Sequence, residues 1–363
     1  MLTVLVTPEY RKTGCDPCMF FDLNGDPYCF VEDDSNGPVD ILITYGWADP
    51  TRSTELINRY RHRINVELDL WHGFDNMIPW LAERDYTGNR YVITVSTYDP
   101  TVNNPNIIGY DFSFNRLKAY YSQFPFSPGW MPYYWNSQYS YIAPRLPSAE
   151  TKQKIFVAPC NTQNARLDHP CVARFAITKL IRDKHRNNGY LGNVTEEYPN
   201  DYLQMHASCP VDQDINFLHQ YPVPPAHMAY GLPPHNLYYN DTFISIYAET
   251  METGTTLAIT EKTYDPMIKG HFVLPFAAPG FIARLRSVGV ALPTFIDYSY
   301  DTIQDFDQRL AVYLAEADRL LSMSQEQWRD LYQQNLHSVL YANQLYFHNR
   351  PYYKVDLQAL LQK

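Results

Sequence analysis

Three segments decide the fold of the second half of the chain: Phe243-Ile-Ser-Ile-Tyr-Ala-Glu249, Ile259-Thr-Glu-Lys262 and His271-Phe-Val-Leu-Pro-Phe276. The first and third are strand-length runs rich in apolar residues, and the second opens a helix with Thr260 at its N-cap. We predict a strand over 243–248, a helix over 260–269 that ends at Gly270, and a strand over 271–276. A strand, a helix and a strand in this order are typical of a parallel sheet covered by helices.

The same alternation extends outward in both directions. Further strands are predicted at 1–7, 40–45, 65–70, 91–96, 154–158 and 293–296, and further helices at 51–63, 168–184 and 280–287. A segment rich in Pro, Tyr and Trp, residues 123–147, interrupts the pattern and places an interdomain connection at about 145–152.

Two amphipathic helices are predicted over 302–344, with a break at Met323-Ser324. The predicted fold class is therefore α/β, with two Rossmann-like domains over 1–150 and 151–322 and a C-terminal helical tail over 323–363.

Composition excludes several classes of function. The formal net charge is −10 with a pI of about 5.5, which disfavours general attraction to nucleic acid. No apolar run approaches the roughly 18–20 residues of a membrane span, and the first residues lack the features of a signal peptide. We therefore expect a soluble, cytoplasmic protein. The aromatic residues, 31 Tyr, 18 Phe and 6 Trp, suit a carbohydrate or nucleotide surface.

The residues around the predicted helix start favour an anion site. Glu249 ends a strand, where ligands of open α/β sheets bind, and Thr260 caps a helix whose first turn carries Glu261 and Lys262. A lysine there opposes the helix dipole unless an anion lies beside it, and a diphosphate is a natural candidate. The alternative is a capping threonine, a glutamate that pairs with the dipole and a solvated lysine.

This segment resembles the α-1,3-fucosyltransferase family, glycosyltransferase family 10. The family signature is a strand ending in Phe-Glu-Asn, a short loop, and Val-Thr-Glu-Lys at a helix start. Here Ala248-Glu249-Thr250 and Ile259-Thr260-Glu261-Lys262 stand in those places, and Gly270–Phe276 is similar to the strand that follows. Phe156-Val-Ala158, followed by Arg174-Phe175, is similar to the arginine segment that binds the donor. The resemblance covers roughly residues 155–300, and Thr250 departs from it.

The resemblance implies a GT-B fold and an inverting, metal-independent glycosyltransferase. The co-substrate would be a nucleotide-diphosphate sugar, with a GDP-sugar favoured, and no other cofactor is expected. Lys262 and Arg174 would bind the diphosphate, Glu261 the nucleotide ribose, and Glu249 would face the sugar, with Thr260 completing the donor site. Arg166 is an alternative to Arg174. The acceptor would be a glycan or glycoconjugate hydroxyl.

Such an enzyme needs a carboxylate that deprotonates the acceptor. The segment Glu67-Leu-Asp69-Leu-Trp-His-Gly-Phe-Asp75 follows a predicted strand of the first domain and offers Asp75, Asp69 and Glu67. His72, Asp99 and Asp111 are alternatives.

No metal site is predicted. Cys15, Cys18 and Cys29 lack a fourth ligand at zinc spacing. The Asp-x-Asp pairs at 212–214 and 305–307 lie in a Pro-rich loop and at a helix start. Two other functions stay open: a transferase that acts on modified DNA bases, and a non-catalytic module that binds nucleotide sugars or glycans.

Overall fold

The computed structural model describes fourteen ranges of the chain: 4–6, 21–22, 28–30, 39–45, 50–59, 62–69, 87–95, 97–98, 104–110, 146–161, 172–194, 236–249, 251–349 and 355–362. The chain forms two compact units. The first comprises residues 1–140 with 351–363, and the second comprises residues 141–350.

The strands in chain order are β1 Val4–Val6, β2 Phe21–Asp22, β3 Tyr28–Phe30, β4 Val39–Tyr45, β5 His62–Asp69, β6 Arg90–Val95, β7 Thr97–Tyr98, β8 Ile107–Tyr110, β9 Phe156–Asn161, β10 Gly189–Val194, β11 Ile244–Ala248, β12 Leu257–Ala258, β13 Phe272–Phe276 and β14 Val355–Asp356. The α-helices are α1 Pro50–Arg59, α2 Val172–Leu180, α3 Asn236–Asp241, α4 Glu261–Ile268, α5 Phe281–Ser287, α6 Phe306–Leu321, α7 Gln325–Gln334, α8 Ala342–Asn349 and α9 Leu357–Leu361. Two π-helical segments, Ile181–His185 and Leu336–Tyr341, follow α2 and α7.

The first unit contains a parallel sheet in the order β3-β1-β4-β5-β6-β8. Ile41, Leu42 and Ile43 of β4 are fully buried, as expected for strands covered on both faces. Helix α1 begins at Pro50, a residue tolerated in a first helical turn, and its Leu56 packs on Val39 and Leu42. The chain end returns to this unit, where β14 pairs with β2.

The second unit contains a parallel sheet in the order β10-β9-β11-β13. Every residue of β11 and β13 is buried, which explains why both read as continuous apolar runs. The fold class is thus α/β with parallel sheets, as the sequence predicts.

Helices α6 and α7 close one side of the second core through aromatic residues. Trp328 of α7 stacks on Phe243, with ring centroids 5.9 Å apart, and also contacts Phe272 and Phe295. The Tyr313 hydroxyl of α6 donates to the carbonyl of Leu274 at 3.0 Å. Many of the abundant aromatic residues therefore serve the core.

The amino-terminal edge of this sheet holds a buried cation. The Lys152 ammonium donates to the carbonyls of Tyr239 at 2.9 Å and Thr242 at 2.5 Å and lies 4.9 Å from the centre of the Tyr332 ring. Burial lowers the pKa of Lys152 to about 7, against an opposing effect of the Asp241 carboxylate. Lys152 ties residues 146–152 to the second unit.

A buried histidine lies beside this lysine. His271 places Nε2 2.7 Å from the carbonyl of Tyr239 and Nδ1 3.0 Å from the Ser245 hydroxyl. Burial, and then the charge of Lys152, lower the pKa of His271 well below its usual value. The ring is accordingly neutral, donating from Nε2 to the carbonyl and accepting at Nδ1.

The helix and strand predictions around Thr260 are confirmed within one residue at each end. The predicted break at Met323-Ser324 is confirmed as well, because Ser324 is the N-cap of α7 and forms a capping box with Gln327. The tail departs from the predicted second helix beyond Gln334, because a π-helical segment and then α8 follow there.

The predicted strand at 293–296 is wrong. Residues 294–295 form a turn and residue 296 a bend, and side chains of α6 hold the backbone here. Arg319 donates to the carbonyl of Phe295 at 2.8 Å, and Glu316 accepts the N–H of Asp297 at 2.9 Å. The Phe295 ring is held edge-on by Phe272, with centroids 5.0 Å apart. The half-buried Phe295 thus packs against aromatic side chains of the core.

Candidate functional site

The candidate site lies at the carboxyl edge of the second sheet, at the topological switch point. There the strands that follow β9 and β11 are added on opposite sides of the sheet. Strands β9 and β11 are neighbours, but the chain passes from β9 outward to β10 and from β11 outward to β13. In open α/β sheets this switch point is where ligands bind, outside the carboxyl ends of the strands. Helix α2 follows β9, and the segment 249–260, which includes β12, leads from β11 to α4.

Glu249, directly after β11, is the centre of the site. Its side chain is fully buried. One carboxylate oxygen accepts from the Thr260 backbone N–H at 3.2 Å and from the Thr263 hydroxyl at 2.5 Å, and the other accepts from the Thr260 hydroxyl at 2.6 Å. A buried carboxylate needs such partners, because its unpaired burial is very unfavourable. The carboxylate thereby fastens the start of α4 to the end of β11.

The hydrogen bonds extend from Glu249 deeper into the core. The Tyr247 hydroxyl donates to Thr263 Oγ1 at 2.8 Å, and Thr263 in turn donates to Glu249. Burial, and then the charge of Glu249, raise the pKa of Tyr247 well above its usual value. Tyr247 therefore stays protonated and keeps its role as donor.

Lys262 extends the network toward solvent. Its ammonium lies 3.2 Å from Thr260 Oγ1 and 3.8 Å from Glu249 Oε2, and its side chain is 17% exposed. The backbone N–H of Lys262 also points to Thr260 Oγ1, at 3.3 Å. Lys262 thus places a cation in the first turn of α4. The buried carboxylate of Glu249 lies on its core side, and its side chain is partly exposed on the other side. Glu261 is the first residue of α4, and its side chain lies outside the described residues.

Arg174 lies in the first turn of α2, and its side chain is buried. The start of this helix is held by another acid of the loop, because Glu252 Oε2 accepts the backbone N–H of Ala173 at 3.2 Å. Glu252 is itself buried. A carboxylate at a helix N-terminus satisfies a free N–H and pairs with the helix dipole.

The loop that carries both acids is anchored along its backbone. The N–H of Glu249 bonds to the carbonyl of Phe276 at 2.8 Å, and the N–H of Ala278 bonds to the carbonyl of Met251 at 2.8 Å. The Arg309 guanidinium donates to the carbonyl of Glu252 at 2.6 Å. Arg309 is buried between the rings of Phe276 and Phe306, 5.3 and 5.6 Å from their centres.

Of the residues predicted from the sequence, Glu249, Thr260 and Lys262 come together directly. Arg174 connects to the same loop through Glu252. In the first unit, Glu67 is buried in β5, 3.9 Å from the Arg90 guanidinium, and Asp69 is the last residue of that strand. The remaining candidates for the base and the alternative arginine lie outside the described residues: Asp75, His72, Asp99, Asp111 and Arg166.

The sequence analysis did not single out Thr263, Glu252 or Tyr247. Thr263 follows the N-cap by three residues, a spacing that returns to the same side of a helix, so it could have been suspected. The contact between Glu252 and Ala173 spans 79 positions and leaves no local signal in the sequence.

The structure gives Asp305 a capping role. It precedes α6, and its Oδ1 accepts the N–H of Gln308 at 2.8 Å. The other Asp-x-Asp pair, at 212–214, lies outside the described residues. Among the residues that the structure describes, no group of three or more His, Cys, Asp or Glu side chains has an arrangement that could hold a metal ion.

Comparison with known proteins gives a loose structural likeness. A crystal structure of an alpha1,3-fucosyltransferase superposes with a TM-score of 0.38 and 10% sequence identity, over 96% of this chain and 92% of that one. No protein-family model matches the chain, and no curated protein sequence matches it either. At this identity and TM-score, the likeness establishes neither family membership nor the role of any residue.

In the part of the chain that the structure describes, none of the helices combines the length and the apolar character needed to cross a membrane.

Proposed function

We propose that the chain is a glycosyltransferase whose second unit binds the diphosphate of a nucleotide-sugar donor. The observation that carries this proposal is the placement of Lys262. This lysine has a partly exposed side chain in the first turn of α4, beside the switch point of a parallel sheet, and its ammonium lies 3.8 Å from the buried carboxylate of Glu249. Glu249 supplies one negative charge beside this lysine, and a helix start together with a cation can bind a further anion.

The proposed class of donor, a nucleotide-diphosphate sugar, is supported by the positively charged groups at the carboxyl edge of the second sheet. Helix starts and cations together recognise phosphate groups, and α2 brings Arg174 into the same part of the fold. The fucosyltransferase-like order of Glu249, Thr260, Glu261 and Lys262 favours a GDP-sugar and a GT-B arrangement of the two units. The ribose contact of Glu261 belongs to the same proposal.

The proposed reaction is an inverting transfer. An acceptor hydroxyl of a glycan attacks the anomeric carbon, the new C–O bond forms as the bond to the diphosphate breaks, and a carboxylate takes the hydroxyl proton. Lys262 and Arg174 would stabilise the negative charge that develops on the leaving diphosphate. Asp75, Asp69 and Glu67 are the proposed bases, and of these Glu67 is buried in β5.

The experiment is a thermal-shift screen of the full chain with GDP, UDP, TDP and CMP, each paired with its nucleoside. A nucleotide that binds the folded state raises the melting temperature in proportion to the logarithm of its concentration. We expect GDP to raise it more than guanosine does. No shift with any of these nucleotides at millimolar concentration would refute the donor site.

Activity assays separate this function from its alternatives. Hydrolysis or transfer from the responding donor would distinguish an enzyme from a module that only binds. EDTA should leave the rate unchanged, and an absolute requirement for added manganese would contradict the metal-independent mechanism. Transfer to oligonucleotides in place of glycans would point to modified DNA bases as the acceptor.

A further inference from the structure

Two buried acids in one loop hold two different helices. Glu249 fastens the start of α4, which carries Lys262, and Glu252 caps the start of α2, which carries Arg174. They are three positions apart in a segment whose backbone is bound to the end of β13 and to Arg309. The two cations proposed for the diphosphate therefore share one scaffold.

We propose that Glu249 and Glu252 are positioning residues that set Lys262 and Arg174 for a diphosphate, and that Glu249 does not contact the donor sugar. The inference rests on the proposed function. It replaces the sugar-facing role that the family resemblance implies for Glu249.

The geometry of Glu249 supports a positioning role. Its side chain is fully buried, and its two oxygens accept three hydrogen bonds from Thr260 and Thr263. Because the side chain is fully buried, a sugar hydroxyl could reach it only if the buried groups around it moved and gave up their hydrogen bonds. The free energy of an unpaired buried donor opposes such a displacement.

The direction of the hydrogen bonds supports the same role. Lys262 donates to Thr260 Oγ1, and Thr260 donates its own hydroxyl proton to Glu249. The Thr260 hydroxyl thus transmits the position of the buried carboxylate to the ammonium. Because the Lys262 side chain is 17% exposed, part of it lies at the surface, where a ligand can approach.

Glu252 acts on Arg174 through the backbone. Its carboxylate receives the N–H of Ala173, the residue before Arg174, and its own carbonyl is held by Arg309. Loss of this carboxylate leaves a helix N–H without its acceptor and loosens the first turn of α2, which contains Arg174. The chain Arg309–Glu252–Ala173 ties that turn to α6.

The test compares Glu249→Gln and Glu252→Ala in the full-length protein, with inorganic pyrophosphate, GDP and guanosine as ligands in calorimetry. We expect each variant to lose about 10- to 100-fold in affinity for pyrophosphate and GDP, as is usual when a supporting residue misplaces a binding group. Guanosine affinity should stay within about twofold of the wild-type value. Glu316→Gln and Glu316→Ala are matched controls, since Glu316 is also a buried acid that accepts a backbone N–H, and they should leave all three affinities unchanged.

A second pair of variants covers the case in which Glu249→Gln does not fold. Thr260→Val removes the hydroxyl between Lys262 and Glu249, and Thr260→Ser keeps it. The valine variant should lose affinity for pyrophosphate, and the serine variant should recover most of it.

The outcomes separate the two proposals. A wild-type protein that binds pyrophosphate but no nucleotide would refute the proposed donor while leaving the positioning role standing. Variants that lower the melting temperature but keep wild-type affinity for pyrophosphate and GDP would overturn the positioning role alone. Equal losses for GDP and guanosine would also overturn it. A wild-type protein that binds none of the ligands would refute both.

Discussion

The Thr260 hydroxyl lies 2.6 Å from the Glu249 carboxylate across a separation of 11 positions. This contact joins the residue directly after β11 to the N-cap of α4. It also orders the Lys262 ammonium, which donates to the same hydroxyl oxygen at 3.2 Å. A local capping residue is thereby part of a network that reaches from the core to a partly exposed cation.

Lys262→Ala should weaken nucleoside diphosphate binding selectively. A hydrogen bond to a charged group contributes about 1.5–3 kcal/mol, so the affinity for GDP should fall about 10- to 100-fold while the affinity for guanosine changes little. Isothermal titration calorimetry measures both. Lys179→Ala is the control, because Lys179 is a more exposed lysine of α2 paired with Asp183. Similar losses in the two variants would contradict a specific role for Lys262.

Thr263→Val should destabilise the fold. The substitution keeps the shape of the side chain but removes a donor to Glu249 and the acceptor of the Tyr247 hydroxyl. Leaving buried polar groups unpaired costs about 1–3 kcal/mol, which urea denaturation resolves. Thr302→Val is the control, since the Thr302 hydroxyl is exposed and donates to the carbonyl of Ser299, and it should change stability by less than about 0.5 kcal/mol. If Thr263→Val lowered the free energy of unfolding by less than about 0.5 kcal/mol as well, the hydrogen-bond network of Glu249 would contribute little to stability.

Stability should rise as the pH increases from 7 to about 10, in part because of Lys152. Its pKa is about 7 in the folded protein and about 10.4 in the unfolded chain, so the unfolded state binds more protons between these values. The contribution is on the order of a few kcal/mol. Urea denaturation across this pH range should show a smaller rise for Lys152→Met than for the wild type.

The control for Lys152 is Lys154→Met. Lys154 also donates to a carbonyl, that of Asn187, but from an exposed position. Its substitution should leave the pH dependence of the wild type intact. A wild-type slope retained in Lys152→Met would contradict the assignment to Lys152.

Gly189→Ala should destabilise the second sheet. A Cβ at Gly189 would lie 2.3 Å from the carbonyl oxygen of Phe156, its partner in β9. Since that atom belongs to a buried backbone, the strands must shift, at a cost of about 1–3 kcal/mol. Gly88→Ala is the comparison, because its Cβ would meet no atom within 4 Å and only its positive φ is unfavourable. A Gly189→Ala variant as stable as the wild type would contradict the close strand contact.

Local patterns predicted much of the second unit. The apolar runs that became β11 and β13 and the capping threonine of α4 are short-range signals, and they placed these elements within one residue. The run at 293–296 carries the same apolar signal, yet it forms a turn. The carbonyl of Phe295 accepts from Arg319, and Glu316 accepts the N–H of Asp297, the residue after the run; both side chains belong to α6.

The candidate site likewise contains residues that the sequence predicts and a contact that it does not. Glu249, Thr260 and Lys262 are recognisable in the sequence because a strand end and a helix start lie within one short segment. Their association with α2 is not recognisable in the sequence, because it depends on a contact between Glu252 and Ala173, which are 79 positions apart.

The sequence by itself determined the α/β class, the elements around Thr260 and the acidic character of the chain, since these depend on residue type and short-range periodicity. Only the tertiary structure decided the order β10-β9-β11-β13 and the burial of Glu249 beneath Lys262. The physical reason is that strand order and the satisfaction of buried charges depend on contacts between distant segments. Those contacts form only when the chain packs into a common core.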